Sequence, residues 1–391
     1  MFNLDKLVSM GFTINQATVL TKLFKRIGYV AKFTAEDLVA DVTIPENKIF
    51  EINSIEGLKA IFKSNTRFYS DIETIFTQKG NSKPFQGKVE TVVVYQVATG
   101  VDYGKAIDDF VSVNANYGQI LIDSRNAEDI QLASVKANAN GRLFVGQTYD
   151  ENIKNNAEGN IATVLKGLNI EKCLLLYHPD NEFVAGGLAG VLAQNQLGLA
   201  GPLFATVTNC TPQNYDDTTT NNLEKLNVAS YQYVNPVNGG GVEEYATPIV
   251  YPGKAINGQD AKRIYIKFSI DLLLKAKAVD FLKRALTYED VSAKILDGML
   301  SSVLVECQKG DGAFQRLIKL DTAKSDGTIV KGFELKVGRP SDLQNEQPSV
   351  YASSTYPVTG YYRDALTGEK VEINLIVDPS TSELATLGFG E

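Results

Sequence analysis

The sequence is poor in the residues on which most metal sites and many catalytic centres rely. Among 391 residues there is one histidine, His178, and there are three cysteines, Cys173, Cys210 and Cys307. The cysteines are odd in number and far apart, which excludes a disulfide framework or a CxxC zinc pair and favours folding in a reducing compartment. A single histidine excludes His-rich metal sites and makes any Ser-His-Asp triad depend on that residue alone. We therefore expect neither a metal nor a cofactor.

Several common signatures are also missing. The sequence contains no GxSxG, no GxxxxGK[ST] and no GxGxxG after a strand, so it shows no nucleophile elbow, P-loop or dinucleotide fingerprint. No apolar run approaches the roughly 18 residues of a transmembrane helix, and the first residues lack the pattern of a secretory signal. Lys and Arg number 38 against 46 Asp and Glu, a net charge of −8. We expect no membrane insertion and no direct binding of nucleic acid.

The chain contains enough apolar residues for a large core. It is 44% hydrophobic and 21% charged, close to the averages of about 45–50% and about 25% for globular domains. From Val92 to about Val234, short apolar strands alternate with amphipathic helices. This alternation predicts an α/β domain with a mostly parallel sheet covered by helices. Its clearest strands are predicted at 92–97, 119–123, 143–148 and 173–177.

Changes in composition divide the chain into four parts. Residues 1–88 are predicted to form an N-terminal α+β segment, in which residues 4–27 have helical spacing, and residues 89–235 form the α/β domain. Residues 236–258 are rich in Gly and Pro and are predicted to be a linker. Residues 259–391 are predicted to form a C-terminal α+β domain. The predicted fold class is thus α/β together with α+β.

The C-terminal domain is predicted to end in a strand with one apolar face. Two helices, at about 271–286 and 291–308, precede this strand. A strand of alternating apolar residues near a terminus is an exposed edge unless it is paired. Donating it to a neighbouring subunit would satisfy its backbone groups, and head-to-tail contacts of this kind generate helical arrays. The apolar residues at odd positions are Val371, Ile373, Leu375 and Val377.

Positive charge is concentrated in one segment. Residues 262–294 carry a local net charge of +4 in a chain of net charge −8, so the remainder carries −12. Lys277, Lys283 and Arg284 lie opposite the apolar arc of the helix predicted at 271–286. Two interpretations stay open: a solvated helix face, or a positive patch that meets an acidic partner.

His178 also has two interpretations. It follows the strand predicted at 173–177, and α/β enzymes place catalytic groups at the carboxyl ends of strands. As an acid or base, His178 would make the α/β domain an enzyme. Alternatively it is a turn residue ahead of Pro179, with a structural role only.

Three stretches in this order along the chain form a recognisable pattern. The first is Phe50–Phe62 followed by Tyr69–Gly80, the second is Tyr117–Arg125, and the third is Ile270–Asp290 ahead of a long helix and the glycines at 310–312. Together they resemble the contractile tail sheath proteins of myovirus-like phages and related contractile injection systems. The order of the stretches carries the resemblance, since none of them is a catalytic signature.

The resemblance implies a non-enzymatic structural subunit. Such a protein polymerises in stacked hexameric rings around the tail tube and contracts to drive the tube through the host envelope. Its partners would be further copies of itself, the tail tube protein, and the baseplate and tail terminator proteins. Its location would be the virion tail, assembled in the host cytoplasm.

Within this family the C-terminal part forms the inner layer and the α/β part lies outside. Applied to this sequence, the resemblance implies that residues 371–377 are the candidate linking strand between subunits. It also implies that the candidate residues facing the tube are Lys277, Lys283 and Arg284. The alternatives are an α/β enzyme that uses His178, or a tail tube or baseplate component.

Overall fold

The computed structural model describes residues 25–79, 89–114, 117–194, 201–234, 247–284, 286–310, 316–365 and 370–378. They form two compact units, and the boundary between the units falls between Ile264 and Tyr265. The first, the α/β unit, contains a mostly parallel sheet with helices. The second, the C-terminal unit, combines helices with an antiparallel sheet. The predicted fold class is confirmed.

An eight-stranded sheet organises the α/β unit. Its order is β2-β3-β1-β4-β5-β6-β7-β8. The six inner strands run parallel to one another, whereas the edge strands β2 and β8 run antiparallel to their neighbours. The strands are β1 (Arg26–Ala31), β2 (Ile49–Ile52), β3 (Thr91–Gln96), β4 (Gln119–Ile122), β5 (Leu143–Thr148), β6 (Cys173–Tyr177), β7 (Ala229–Val234) and β8 (Thr247–Tyr251).

Helices follow the strands because the inner strands are apolar on both faces. Every residue of β4, β5 and β6 is buried, so helices must cover the sheet on each side. The helices are α1 (Ile55–Ile61), α2 (Arg67–Phe76), α3 (Tyr103–Val113), α4 (Ala127–Ala139), α5 (Glu151–Lys154), α6 (Ile161–Gly167), α7 (Val184–Gln194) and α8 (Asp217–Leu226).

Side chains on the starts of these helices fix where they begin. Ser54, Thr66 and Asp102 each accept a hydrogen bond from a backbone N–H in the first turn of the following helix. Asn126 occupies the same position before α4 without capping it, and instead accepts a hydrogen bond from the Tyr149 hydroxyl. Capping by local side chains therefore sets most of the helix starts of the α/β unit.

The sheet crosses the boundaries that composition predicts. Strands β1 and β2 lie within the predicted segment 1–88, and β8 lies within the predicted linker 236–258, yet all three belong to the same sheet as β3–β7. Pro248 is accommodated because β8 is an edge strand, where a missing backbone donor costs little. From residue 247 onward, the Gly and Pro residues of this region lie in an edge strand and in the loop that follows it. The part before residue 247 lies outside the described residues.

The helix predicted over residues 4–27 is contradicted at its end. Ile27 and Gly28 lie in β1, between the parallel strands β3 and β4. A Cβ atom at position 28 would lie 2.8 Å from Cε1 of Phe110 and 3.1 Å from Cδ2 of Tyr117, so a larger residue there would force these buried rings to shift. The earlier residues of the predicted helix, up to 24, lie outside the described part of the chain.

The C-terminal unit packs a three-stranded antiparallel sheet of order β11-β12-β13 with its helices. The ring of Phe281 meets that of Tyr356 edge-on, with centroids 5.8 Å apart, and joins the first helix to the central strand. The elements after α8 are α9 (Ala261–Leu282), α10 (Asp290–Lys309), β9 (Thr322–Ala323), β10 (Ile329–Val330), β11 (Phe333–Val337), α11 (Pro340–Glu346), α12 (Pro348–Ala352), β12 (Tyr356–Arg363) and β13 (Lys370–Val377).

Helix α9 begins about ten residues earlier than predicted and ends earlier than Leu286. Its start follows Asp260, whose carboxylate accepts a hydrogen bond from the Lys262 N–H at 2.8 Å. Local sequence does not indicate this start, because the apolar residues just after Asp260 are also typical of a strand. The helix ends at Leu282, so Lys283 and Arg284 follow the helix.

The buried face of α10 differs in part from the one that a constant spacing predicts. A spacing of four through Val291, Ile295, Met299, Val303 and Cys307 predicts one buried stripe. Val303 and Cys307 are buried, but Val291 is 63% exposed. Four residues advance a helix by 400°, so a stripe at constant spacing of four drifts by 40° at each step. The observed buried residues instead alternate spacings of three and four: Ala293, Leu296, Leu300, Val303 and Cys307.

A small-residue face lets α7 pack closely against α2. All residues of α7 are buried, and a Cβ atom built on Gly190 would lie 2.4 Å from the backbone oxygen of Ile75. Because this neighbour is backbone, it cannot rotate away. The first of the two Gly-Leu-Ala-Gly sequences, at 187–190, thus serves helix packing.

We expect Gly190→Ala to destabilise the α/β unit by about 1–3 kcal/mol, because the added methyl group overpacks the contact with Ile75. The matched control is Gly167→Ala at the end of α6, where an added Cβ meets no atom within 4 Å. Urea denaturation followed by circular dichroism measures both. Equal midpoints for the two variants would contradict the packing argument.

Candidate functional site

The candidate linking strand is β13, and it is already paired on one side. It pairs with β12 over eight residue pairs, from Tyr356 opposite Val377 to Arg363 opposite Lys370. Ile373, Leu375 and Val377 are buried and Val371 is half-buried. The backbone N–H and C=O groups along one edge of β13 are therefore paired with β12 of the same chain. On its other edge, no strand among the described residues pairs with it.

The opposite face of β13 is open to solvent. Glu372, Asn374 and Ile376 are exposed, and Ile376 retains 47% of its exposure although it is a large apolar residue. An exposed β-branched side chain on an edge strand favours pairing with a further strand, because cross-strand apolar pairs stabilise sheets.

The structure does not bring the three candidate tube-facing residues onto one helical stripe. Lys277 is half-buried within α9, whereas Lys283 and Arg284 are exposed beyond its last residue. Lys283 Nζ lies 4.0 Å from Asp280 Oδ1, so part of its charge is neutralised locally. Lys275, which contributes to the positive charge of this segment in the sequence, is fully buried and belongs to no surface patch.

His178 is a buried structural residue in this fold. Its side chain is fully buried, its Nε2 lies 3.0 Å from the Thr211 carbonyl oxygen and its Nδ1 lies 3.4 Å from that of Asp180. Glu182 holds the same loop from the other side by accepting hydrogen bonds from the Thr211 N–H and hydroxyl. The imidazole thus ties the chain after β6 to the loop before α8, which is the structural interpretation of this residue.

A buried polar cluster lies at the carboxyl ends of β1 and β4. The chain from β1 reaches β3 on one side and then returns to β4 on the other, and ligands of parallel sheets bind at such switch points. Tyr29 in β1 donates a hydrogen bond to Asp71 Oδ2 in α2 at 2.8 Å. Tyr103 donates to Asp123 Oδ1 at 2.5 Å, just after β4. Arg67 contacts the Asp71 carboxylate and the backbone carbonyl oxygen of Asp123.

Arg67 reaches both halves of this cluster. Its Nε lies 3.5 Å from Asp71 Oδ2, and its Nη2 donates to the Asp123 carbonyl oxygen. The Lys32 N–H donates to Asp123 Oδ2 at 3.3 Å. The polar groups of the cluster therefore bind one another, and these hydrogen bonds connect α2 and α3 with strand β1 and the ends of β1 and β4.

Burial dominates the electrostatics of the cluster. Desolvation raises the pKa of Asp71 to about 6, against the opposing effects of Arg67 and of the hydrogen bond from Tyr29. Desolvation also raises the pKa of Asp123, against the hydrogen bond from Tyr103. No motif or spacing in the sequence predicts that these residues form a site. The available signal was an aspartate directly after a fully apolar strand, at Asp123.

Two features are absent from the part of the chain that the structure describes. It holds no group of three or more His, Cys, Asp or Glu side chains placed to bind a metal ion. It also holds no helix that is both long and apolar enough to span a bilayer.

Comparison with known proteins finds similarity at the level of structure. No protein-family model matches the sequence, and no curated protein matches it significantly. Among solved structures, a chain in the cryo-EM structure of the anti-feeding prophage (AFP) baseplate, 6-fold symmetrised, superposes with a TM-score of 0.55. The chain has the same fold as that subunit. The superposition covers 94% of this chain and 92% of the other, at 12% sequence identity.

We expect His178→Ala to lower the free energy of unfolding by about 1–3 kcal/mol, because it removes a fully buried side chain together with its hydrogen bond to the Thr211 carbonyl oxygen. The exposed Lys225→Ala on α8 serves as the control and should change stability by less than about 0.5 kcal/mol. Urea denaturation measures both. Unchanged stability of the His178 variant would contradict the structural role.

Proposed function

We propose that the protein is a structural subunit of a phage-tail-like contractile particle, and more specifically a sheath subunit that polymerises helically around the tail tube. The observation that carries the proposal is the fold shared over nearly the full length of a chain from the AFP baseplate. The sheath-like stretches, which occur in the expected order along the sequence, support it independently.

In this proposal β13 links neighbouring subunits. Residues Val371, Ile373, Leu375 and Val377 fix the strand against its own unit, which leaves the far edge to pair with an extended segment of a neighbouring copy. Main-chain pairing keeps subunits connected, and contacts that do not close on themselves generate a helical array. The subunits would stack as hexameric rings.

Lys277, Lys283 and Arg284 are proposed to face the tail tube. Exposed ion pairs contribute only about 0–1 kcal/mol each, so several such contacts orient a subunit on an acidic surface without holding it permanently. A weak attachment suits a sleeve that must slide when it contracts and drives the tube through the host envelope.

The remaining partners follow from the same proposal. They are the tail tube, baseplate and tail terminator proteins, and the location is the tail of a virion or related particle assembled in the host cytoplasm. The role is mechanical, without catalysis, cofactor, nucleic-acid binding or membrane insertion. The baseplate origin of the structural relative favours one alternative, a baseplate subunit, which would form rings but no extended sleeve.

Electron microscopy of the purified protein tests the proposal through β13. We expect the wild-type chain to form hollow tubes, and Ile376→Lys to suppress them, because a lysine on the edge strand opposes pairing with a neighbour. Thr359→Lys is the matched control: Thr359 is exposed on β12, whose two edges are already paired. Both variants should keep the wild-type melting temperature.

Each other outcome has a distinct meaning. Tubes formed by Ile376→Lys would contradict the assignment of β13 as the link. Wild-type protein that forms only isolated rings favours the baseplate alternative, and monomers under all salt conditions contradict both assembly proposals.

Attachment to the tube is tested by reversing charge. We expect the triple variant that carries Lys277→Glu, Lys283→Glu and Arg284→Glu to sediment with tail tubes in a smaller amount than the wild type. The difference should be larger at low salt, because salt screens the interaction between exposed charges. The control carries the same change of charge at the exposed Lys59, Lys225 and Lys324. Equal binding by both triple variants would contradict the assignment of a tube-facing surface.

A further inference from the structure

The Asp71 carboxyl group is a buried ionisable group at a junction between elements. It is 3% exposed and lies on α2, while its hydrogen-bond donor Tyr29 lies on β1. Its charged neighbour Arg67 retains 39% of its side-chain exposure. The positive charge is therefore shared with water, whereas the negative charge is buried, so the pair compensates the desolvation of Asp71 only in part.

The other groups that face Asp71 come from several elements. The Asp123 carboxylate repels its charge, and Arg125 attracts it. Burial raises the pKa of Cys210 to about 12 and that of Tyr29 well above its ordinary value, so neither of these changes charge in mildly acidic solution. The groups are Tyr29 on β1, Arg67 on α2, Asp123 and Arg125 after β4, and Cys210 in the loop before α8.

We propose that the Tyr29–Arg67–Asp71 cluster is an acid-strengthened clamp, which holds helix α2 on strand β1 more firmly when Asp71 carries a proton than when it is ionised. The proton removes the buried charge, and the neutral carboxyl group still accepts the hydrogen bond from Tyr29. The inference concerns the α/β unit alone and does not rest on the proposed function.

The direction of the effect follows from linkage. In the closed state the pKa of Asp71 is raised to about 6 from an ordinary value of 3.8, and when α2 opens the group returns to water. A raised closed-state pKa means that stabilisation is complete below pH 3.8 and is lost as pH rises through about 6. Between pH 7 and pH 5 the opening equilibrium of α2 should therefore fall about tenfold.

Hydrogen exchange on the full chain at pH 7 and pH 5, corrected for intrinsic exchange rates, measures this opening. We expect the amides of α2 to gain about tenfold protection at pH 5 relative to those of α8. Asp71→Asn mimics the protonated form, so its α2 protection should be high at pH 7 and should change little with pH. Asp123→Asn keeps Asp71 and should retain most of the dependence.

Two results would overturn the clamp. One is equal α2 protection at both pH values in the wild type; the other is an Asp71→Asn variant with the wild-type pH dependence. If that variant does not fold, the test is the NMR chemical shift of the Asp71 carboxyl carbon, followed against pH in isotope-labelled wild-type protein. A midpoint near pH 6 supports the clamp, and a midpoint near pH 4 contradicts it.

Discussion

Burial of both faces of a parallel sheet is the constraint on which the α/β unit depends. Strands β4, β5 and β6 leave no residue exposed, so helices cover each side and the loops at the strand ends must satisfy polar groups without water. The imidazole of His178 and the carboxyl group of Asp123 both lie directly after such strands. Their hydrogen bonds are the consequence of that burial.

The C-terminal unit follows a different rule. Its antiparallel sheet buries one face, with Val358, Leu375 and Val377, and leaves Thr359, Asn374 and Ile376 on the other. A three-stranded sheet also keeps two edge strands, and edges are where chains pair with other chains. In the α/β unit the edge strands β2 and β8 flank inner strands that helices cover, whereas every strand of the three-stranded sheet lies at an edge or next to one.

Local patterns predicted the elements well wherever one rule acted alone. The apolar strands predicted at 92–97, 119–123, 143–148 and 173–177 needed only the apolar pattern of neighbouring residues, and the structure has a strand at each of them. Prediction failed where two rules competed. In β8 the prolines indicated a linker, but an edge strand tolerates them. In α10 a constant spacing of four placed Val291 on the buried face, where it does not lie, because the helix repeat falls between three and four residues.

The sequence by itself determined the strands, most helices and the two fold classes, because apolar periodicity depends only on neighbours along the chain. The tertiary structure alone decided which polar residues are buried and what they bind. Tyr29 and Asp71 are 42 residues apart, and His178 and Thr211 are 33 apart. Desolvation and long-range hydrogen bonding depend on what surrounds a side chain in space, and no local pattern specifies that environment.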